Sequence, residues 1–428
     1  VNVLIVAVGS MGDLVPYTGL ATRLREAGHA VAVATYERFA AVVRRTGAEV
    51  RVIPGDPAAE GEWTQAPNSA GAMRRITSGT VALGEHIYAV AEPSDDLILL
   101  CQSAICGVHA ADRLGIPSAG VFFEPMHPTA AHPPSYLGTG RSLGAVGNRL
   151  TGRLVLALGG RLMRGPVRVL RRRLGLPAQS GRALAARMAD WPILHAYSPS
   201  VLPRPSDWPS ALDVTGYLWP SITSPGWTPP ADLADFLDAG EPPVFVGFGS
   251  RAMSDTESRR VVGIVEEALS RAGVRGVIQA GWARLAGRSA HTFTIRETLT
   301  PHDWLFPRMA AVVHHMGAGT AAAGLRAGVP SVGVPILGAQ PFWAARIAGL
   351  GAGPAPVPYR KLSTTRLADA ITAAVSYRSY RDTAAALSER IAGEDGAGAI
   401  VTVLDRLVDG DPTGIPPSFP PGAAAKEP

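Results

Sequence analysis

A chain of 428 residues is too long for one ordinary domain and suits two of roughly 200 each. Its hydrophobic fraction of 46% can fill two cores, yet no stretch offers the ~18–20 uninterrupted apolar residues of a membrane-spanning helix. The net charge of +5 is mild and comes largely from arginine without interleaved aromatics, which argues against nucleic acid as a partner.

The chain opens on Val3–Val8, an apolar run that reads as a buried strand and lacks the basic, apolar and small-residue order of an export signal. Further strands are expected at Ala30–Ala34, Val50–Ile53, Leu97–Leu100, Ser118–Phe123 and Ile193–Ala196, with helical stretches between them. Such alternation marks an α/β fold whose parallel sheet is covered on both faces. Cys101 and Cys106 have apolar neighbours and no metal-ligand spacing, so they read as core thiols of a cytoplasmic protein. Pro-rich Trp208–Pro230 interrupts the pattern. A second series starts at Pro243–Phe248 and runs through Val274–Ala280, Thr292–Ile295, Ala310–Val313 and Ser331–Pro335, followed by helical Thr364–Val408. Gly410–Pro428, rich in Pro, Gly and Ala, is expected to be disordered. The D-x-D at Asp409-Gly410-Asp411 lies beside Pro412 and reads as surface loop, not as a metal site.

Two glycine-bearing turns carry the chemistry. Gly9-Ser10-Met11-Gly12-Asp13-Leu14-Val15-Pro16 follows the first strand and leads into a helix through Leu20–Ala27. Such a turn alone suits a dinucleotide site equally, but the full G-x-G-x-x-G is absent and Asp13 would repel a pyrophosphate. Asp13 has a plain reading as a helix cap. Facing a cleft, it could instead take the proton of an acceptor alcohol, an effect worth roughly 10²–10⁴-fold. The second turn, His314-His315-Met316-Gly317-Ala318-Gly319-Thr320, links the strand Ala310–Val313 to helix-forming Ala321–Ala327. Strand, glycine turn and helix N-terminus together present free N–H groups and a helix dipole to a phosphate.

These turns, with Leu299–His302 and Gly338-Ala339-Gln340-Pro341-Phe342-Trp343, resemble the nucleotide-sugar-dependent glycosyltransferases of family 1, in the branch of sterol glucosyltransferases and antibiotic glycosyltransferases. The resemblance covers about residues 1–405. It implies the GT-B fold, two Rossmann-like parallel-sheet domains facing a deep cleft. The acceptor domain would span 1–216, a linker 217–240 and the nucleotide-sugar domain 241–390. A terminal helix over 391–409 would pack back on the first domain, ahead of the tail 410–428. Asp13 is then the catalytic base. His127 and His132 are rival bases that read more plainly as acceptor-wall residues, beside Met11. Ser10, Gly12, Ser250, His314, His315, Gly317, Ala318, Gly319 and Thr320 would hold the donor diphosphate. Gln279, Trp282, Leu299, Thr300 and His302 would hold the nucleoside, and Ala339 and Gln340 the sugar. Trp304 and Phe306 read as core packing. No metal and no cofactor beyond the co-substrate is required, because helix N-terminal donors can take the leaving-group charge.

The expected reaction is metal-independent inverting transfer of a hexose from a TDP- or UDP-sugar to a hydroxyl of a lipophilic acceptor, a bacterial secondary metabolite. Sterol or lipid glucosylation from UDP-glucose is the alternative, as is a silent nucleotide-binding partner of another transferase. A nucleotide-sugar epimerase is disfavoured because it leaves Asp13 without a role. Two departures from the family stand out. Met316 replaces the first glycine of HHGGAGT and is expected to forgo both close approach and a positive φ. Ala339 replaces the carboxylate of GDQPFW, which favours a deoxysugar donor. Finally, Arg141–Arg173 holds nine arginines and no acid, interleaved with Leu150, Leu154, Leu158, Leu162 and Val169. Peripheral membrane docking and a solvated face over an acceptor wall both fit such a stretch.

Overall fold

The computed structural model describes residues 1–56, 69–138, 140–222, 227–249, 253–279, 291–295 and 300–408. The first half runs β1 (Asn2–Val6), α1 (Met11–Glu26), β2 (Ala30–Thr35), α2 (Ala40–Arg44), β3 (Glu49–Val52), α3 (Ser69–Val90), β4 (Leu97–Leu100), α4 (Val108–Leu114), β5 (Ser118–Phe122), α5 (Gly144–Arg173), α6 (Gly181–Asp190), β6 (Ile193–His195) and β7 (Leu212–Val214). The second half runs α7 (Ala231–Asp238), β8 (Val244–Gly247), α8 (Asp255–Arg271), β9 (Gly276–Gln279), β10 (Thr292–Ile295), α9 (His302–Leu305), β11 (Ala311–His314), α10 (Ala318–Arg326), β12 (Ser331–Gly333) and α11 (Gln340–Gly349). Three helices follow, α12 (Thr364–Ser376), α13 (Arg378–Ala392) and α14 (Gly396–Val408).

The strands form two parallel sheets, ordered β3-β2-β1-β4-β5-β6-β7 and β10-β9-β8-β11-β12. Continuous apolar runs suit strands buried on both faces: Val3–Val6, Leu97–Leu100 and Val244–Val246 are all shielded from solvent. Strand order reverses between β1 and β4 and again between β8 and β11, so each sheet opens a crevice at the carboxyl ends of those strands. Both glycine turns of the sequence leave from these reversal points.

The proline-rich stretch after Trp208 is not simply a break. It holds β7, a three-residue edge strand on β6, where the missing N–H of a proline is tolerated. It also leads into α7. The segment around Trp219 passes directly over α1, where a Cβ on Gly19 would fall 1.7 Å from the Trp219 carbonyl oxygen. Ser221 N–H donates to Thr18 Oγ1 at 2.9 Å. The chain end returns to the first half as well: Ile400 and Leu404 of α14 share its core, Arg23 bonds Asp395 at 3.0 Å, and Ser198 donates to Glu394 at 2.7 Å. Burial pushes the Cys101 and Cys106 thiols up to about 11 and about 12, as suits core residues. The tail 410–428 lies outside the described residues.

Candidate active site

The two reversal points face each other. A Cβ on Gly319, in the first turn of α10, would lie 3.8 Å from the carbonyl oxygen of Gly12, in the first turn of α1. The positive ends of two helix dipoles therefore meet in one crevice. Core residues cross the gap: His132 packs on Phe342 with ring centroids 5.3 Å apart, Tyr197 on Trp343 at 5.4 Å, and Arg346 donates to the Val201 carbonyl at 2.6 Å.

On the α1 side, Ser10 is the N-cap and Asp13 the third helical residue. Asp13 Oδ2 accepts from the Ser10 N–H at 2.7 Å and from the Ser10 hydroxyl at 2.8 Å. Asp13 thus serves the cap from within the helix. Its Oδ1 makes no hydrogen bond among the described residues, and the side chain is exposed. One oxygen fixes the orientation and the other stays open for a proton. Ser10 spends both donors on Asp13, and Gly12 presents its carbonyl, so neither residue offers a free side-chain donor to a phosphate. Met11 opens the helix, half-buried against the core.

A residue absent from the sequence reading joins this wall. Glu124 follows β5, and its Oε2 accepts from Gln102 Nε2 at 3.0 Å and from the Tyr136 hydroxyl. Burial pushes its carboxyl up to about 7; the Tyr136 hydrogen bond opposes that rise and the charge of Asp13 adds to it. Tyr17, one turn beyond Asp13, ties α1 to this strand end, packing on Phe123 at 5.1 Å and donating to the Val121 carbonyl at 2.5 Å. An acidic residue ending an otherwise apolar strand was the available signal.

The rival histidines sit elsewhere. His127 and His132 stand edge-on to Trp208 at 6.5 and 6.4 Å, and His195 stacks on the same indole at 4.6 Å. His132 Nδ1 donates to the Pro133 carbonyl at 3.0 Å. Burial lowers His127 to about 4 and His195 to about 3, so neutral rings form an aromatic packing cluster.

On the α10 side, Gly317 is the N-cap and no side chain caps the helix. The backbone N–H groups of Ala318, Gly319 and Thr320 make no hydrogen bond among the described residues, and all four residues from Gly317 to Thr320 are partly exposed. Such orphan donors at a helix start form an anion site. His314 closes β11, opposite Gly247 in register. Its Nδ1 accepts from the Met316 N–H at 3.1 Å, which leaves the proton on Nε2, and that atom is buried without a partner among the described residues. Burial holds His314 at about 3 and His315 at about 4. The His315 ring lies between two glycine backbones, where a Cβ on Gly249 or on Gly317 would come within 2.7 or 2.5 Å of it.

Met316 corrects one expectation. It adopts φ 65°, the one non-glycine residue with positive φ among the described residues, so the methionine keeps the conformation a glycine would have. Its side chain is buried against β12 and α11, where a Cβ on Gly333 would meet Met316 Cε at 2.7 Å. Ala339 is buried and is the N-cap of α11. Gln340 Oε1 accepts from the Ile336 and Leu337 N–H groups at 2.8 and 3.1 Å, leaving its amide nitrogen as the group free to donate. Gln279 ends β9, with Oε1 3.1 Å from where a Cβ on Gly247 would stand. Thr300 is buried with its hydroxyl unpartnered among the described residues. His302 stacks on Phe306 at 4.2 Å, with burial holding it at about 4. Phe306 is core, and Trp304 packs on Trp227 at 5.5 Å. Ser250, Trp282 and Leu299 lie outside the described residues. Among the described residues no three His, Cys, Asp or Glu side chains are grouped to hold a metal, and no helix is long and apolar enough to cross a membrane.

Two family models match: the glycosyltransferase family 28 N-terminal domain over residues 3–131, and the erythromycin biosynthesis protein CIII-like C-terminal domain over 293–407. Two sterol 3-beta-glucosyltransferases of Arabidopsis thaliana align over nearly the whole chain. One is 33% identical and covers 95% of this chain and 66% of the relative; the other is 30% identical and covers 98% and 69%. The chain belongs to the family 1 GT-B glycosyltransferases. The solved glycosyltransferase of kitacinnamycin shares the fold, with a TM-score of 0.70 at 19% identity over 95% of this chain and 98% of that one. This glycosyltransferase spans about two thirds of the plant relatives, and 28% of the sterol 3-beta-glucosyltransferase of Candida albicans.

Proposed function

We propose that this glycosyltransferase moves glucose from UDP-glucose to the hydroxyl of a sterol-like lipid acceptor, with inversion and without a metal. The named activity of its relatives at 30–33% identity supports this acceptor class over a secondary metabolite. The observation that carries the chemistry is the opposition of the uncapped α10 N-terminus to the open oxygen of Asp13. Asp13 takes the proton of the acceptor hydroxyl as the acceptor's own oxygen bonds to the anomeric carbon. The carbon–oxygen bond to the diphosphate breaks on the opposite face, and one displacement inverts the centre. The departing diphosphate gains charge where orphan N–H groups and the His314 Nε2–H can receive it. Being neutral, His314 acts there as a donor and not as a counter-ion.

A deoxysugar on thymidine diphosphate is the second reading for the donor, and Ala339 is the observation that favours it. The test incubates purified protein with UDP-glucose and a 3β-hydroxysterol in detergent micelles, reading UDP release together with the sterol glucoside by mass spectrometry. Parallel reactions use a TDP-deoxysugar. Glucoside from UDP-glucose is the expected result; donor-dependent release with neither sugar would overturn the assignment.

A further inference from the structure

The outer surface of α5 has no partner among the described residues. The helix is anchored from beneath and at both ends. Asn148 donates to the Ala130 carbonyl at 3.2 Å, a Cβ on Gly152 would stand 2.9 Å from Pro128 Cα, and Arg171 pairs with Asp112 at 3.1 Å. What faces outward is a ridge at i, i+4 spacing, Val146, Leu150, Leu154, Leu158 and Leu162, each between 47% and 71% exposed. The ridge winds about 40° around the helix at each step, so Leu150, Leu154 and Leu158 share one side. At 1.5 Å per residue the row is about 24 Å long. Tyr136, Leu137 and Leu143, also exposed, extend it toward the Glu124 wall, to which Tyr136 is hydrogen-bonded. Monomeric soluble surfaces rarely carry so continuous an apolar strip.

We propose that this face of α5 seats the protein on an anionic lipid bilayer, with the leucine row in the headgroup–acyl boundary and the flanking arginines on lipid phosphates. Two features of the surface select this occupant. Arg153, Arg161 and Arg168 make no ion pair among the described residues, and the whole segment 141–173 lacks an acidic residue. A second copy docking through the same patch would set arginine against arginine, whereas anionic headgroups attract juxtaposed Arg side chains. The adjacent Gly159 and Gly160, with open space where their Cβ atoms would be, weaken the helix in water between Leu158 and Leu162 of the row. Burial of the row in an interface offsets that weakness. The docked face also brings a lipophilic acceptor to the mouth of the Glu124 wall; this last step rests on the function proposed above, while the docking itself does not.

The experiment is vesicle co-sedimentation of the full chain, comparing phosphatidylglycerol–phosphatidylcholine vesicles with phosphatidylcholine alone. The parent is expected to sediment with the anionic vesicles and to be released as salt rises. Leu150→Gln/Leu154→Gln/Leu158→Gln and Arg153→Gln/Arg161→Gln/Arg168→Gln should each bind roughly tenfold more weakly or less. Both sets lie on solvent, so unchanged thermal melts will show that the fold is kept. Nucleoside diphosphate release with a water-soluble alcohol is read in parallel and is expected to match the parent, which separates a failed docking surface from a failed transfer assignment. A parent that stays in the supernatant, a leucine variant that sediments as well as the parent, or a dimer that this variant dissociates without any vesicle binding would overturn the proposal.

Discussion

The Met316 side chain fills the space above Gly333: a Cβ on that glycine would stand 2.7 Å from Met316 Cε and 3.2 Å from Met316 Cγ. The residue in the left-handed conformation is therefore also a core residue, and packing holds it there. A non-glycine residue in such a backbone costs of order 1–3 kcal/mol. Emptying a buried methionine site costs about 2–5 kcal/mol. Met316→Gly should lose the packing and recover the strain, whereas Met316→Ala loses the packing and keeps the strain. Urea melts should rank parent above Gly above Ala, although alanine is ordinarily the more stable of the two by about 0.4–1 kcal/mol. An alanine variant as stable as the glycine one would mean that the positive φ carries no strain.

Asp13→Asn keeps a carbonyl oxygen that can accept from the Ser10 N–H and hydroxyl, so the start of α1 should persist. Turnover should fall by roughly two to four orders of magnitude, with donor binding and thermal midpoint near those of the parent. Steady-state kinetics beside calorimetry of nucleoside diphosphate binding checks both halves. Near-normal turnover would transfer the base role to Glu124, the other carboxylate of that wall.

Treatment with a chelator should leave transfer intact, since orphan N–H groups of α10 are assigned the leaving-group charge. Activity restored only by added divalent cation would contradict that assignment. The assay is product formation before and after dialysis against the chelator.

Glu124 gives a pH signature in stability. Its carboxyl stands near 4.5 when the chain is unfolded and at about 7 in the fold. Between these values the folded state holds a proton that the unfolded state has released, so stability falls as pH rises through that window and is level above it. The groups facing Glu124 are Gln102, Tyr136 and Asp13. Glu124→Gln should remove this slope, so the variant should gain on the parent between pH 5 and pH 8 in urea midpoints. Parallel pH profiles for parent and variant would show that the carboxyl is not held protonated.

Ala339→Asp places a carboxylate at the start of α11, where the helix dipole favours a negative charge. It also returns a charge-assisted acceptor for sugar hydroxyls, worth roughly 1.5–3 kcal/mol. The ratio of kcat/KM for a deoxysugar donor over its hydroxylated counterpart should fall by roughly tenfold or more. An unchanged ratio would make Ala339 a neutral replacement, with the Gln340 amide alone reading the sugar.

Much of this was legible in residues close together in sequence. The apolar runs place eleven of the twelve strands among the described residues to within about two residues, because buried parallel strands need unbroken hydrophobic stretches and end at turn residues. Both glycine turns and the helix starts behind them follow from the same short-range chemistry. β7 was hidden because an edge strand needs only one partner, and three residues inside a proline-rich stretch leave no periodic signal.

What only the tertiary structure decided involves atoms brought from far apart in the chain. Ser10 could be read as a phosphate donor until its two donors were found on Asp13. His127 and His132 could be read as bases until Trp208, some eighty residues on, was seen to gather them with His195. Glu124 owes its raised carboxyl to burial and, secondarily, to the charge of Asp13, against the opposing Tyr136 hydrogen bond, and neither Asp13 nor Tyr136 is its chain neighbour. Local sequence sets backbone geometry through short-range sterics, whereas protonation and partner choice depend on desolvation and on long-range packing. Met316 stands where the two meet: its sequence position marks a glycine's conformation, and the pocket above Gly333 holds a methionine in it.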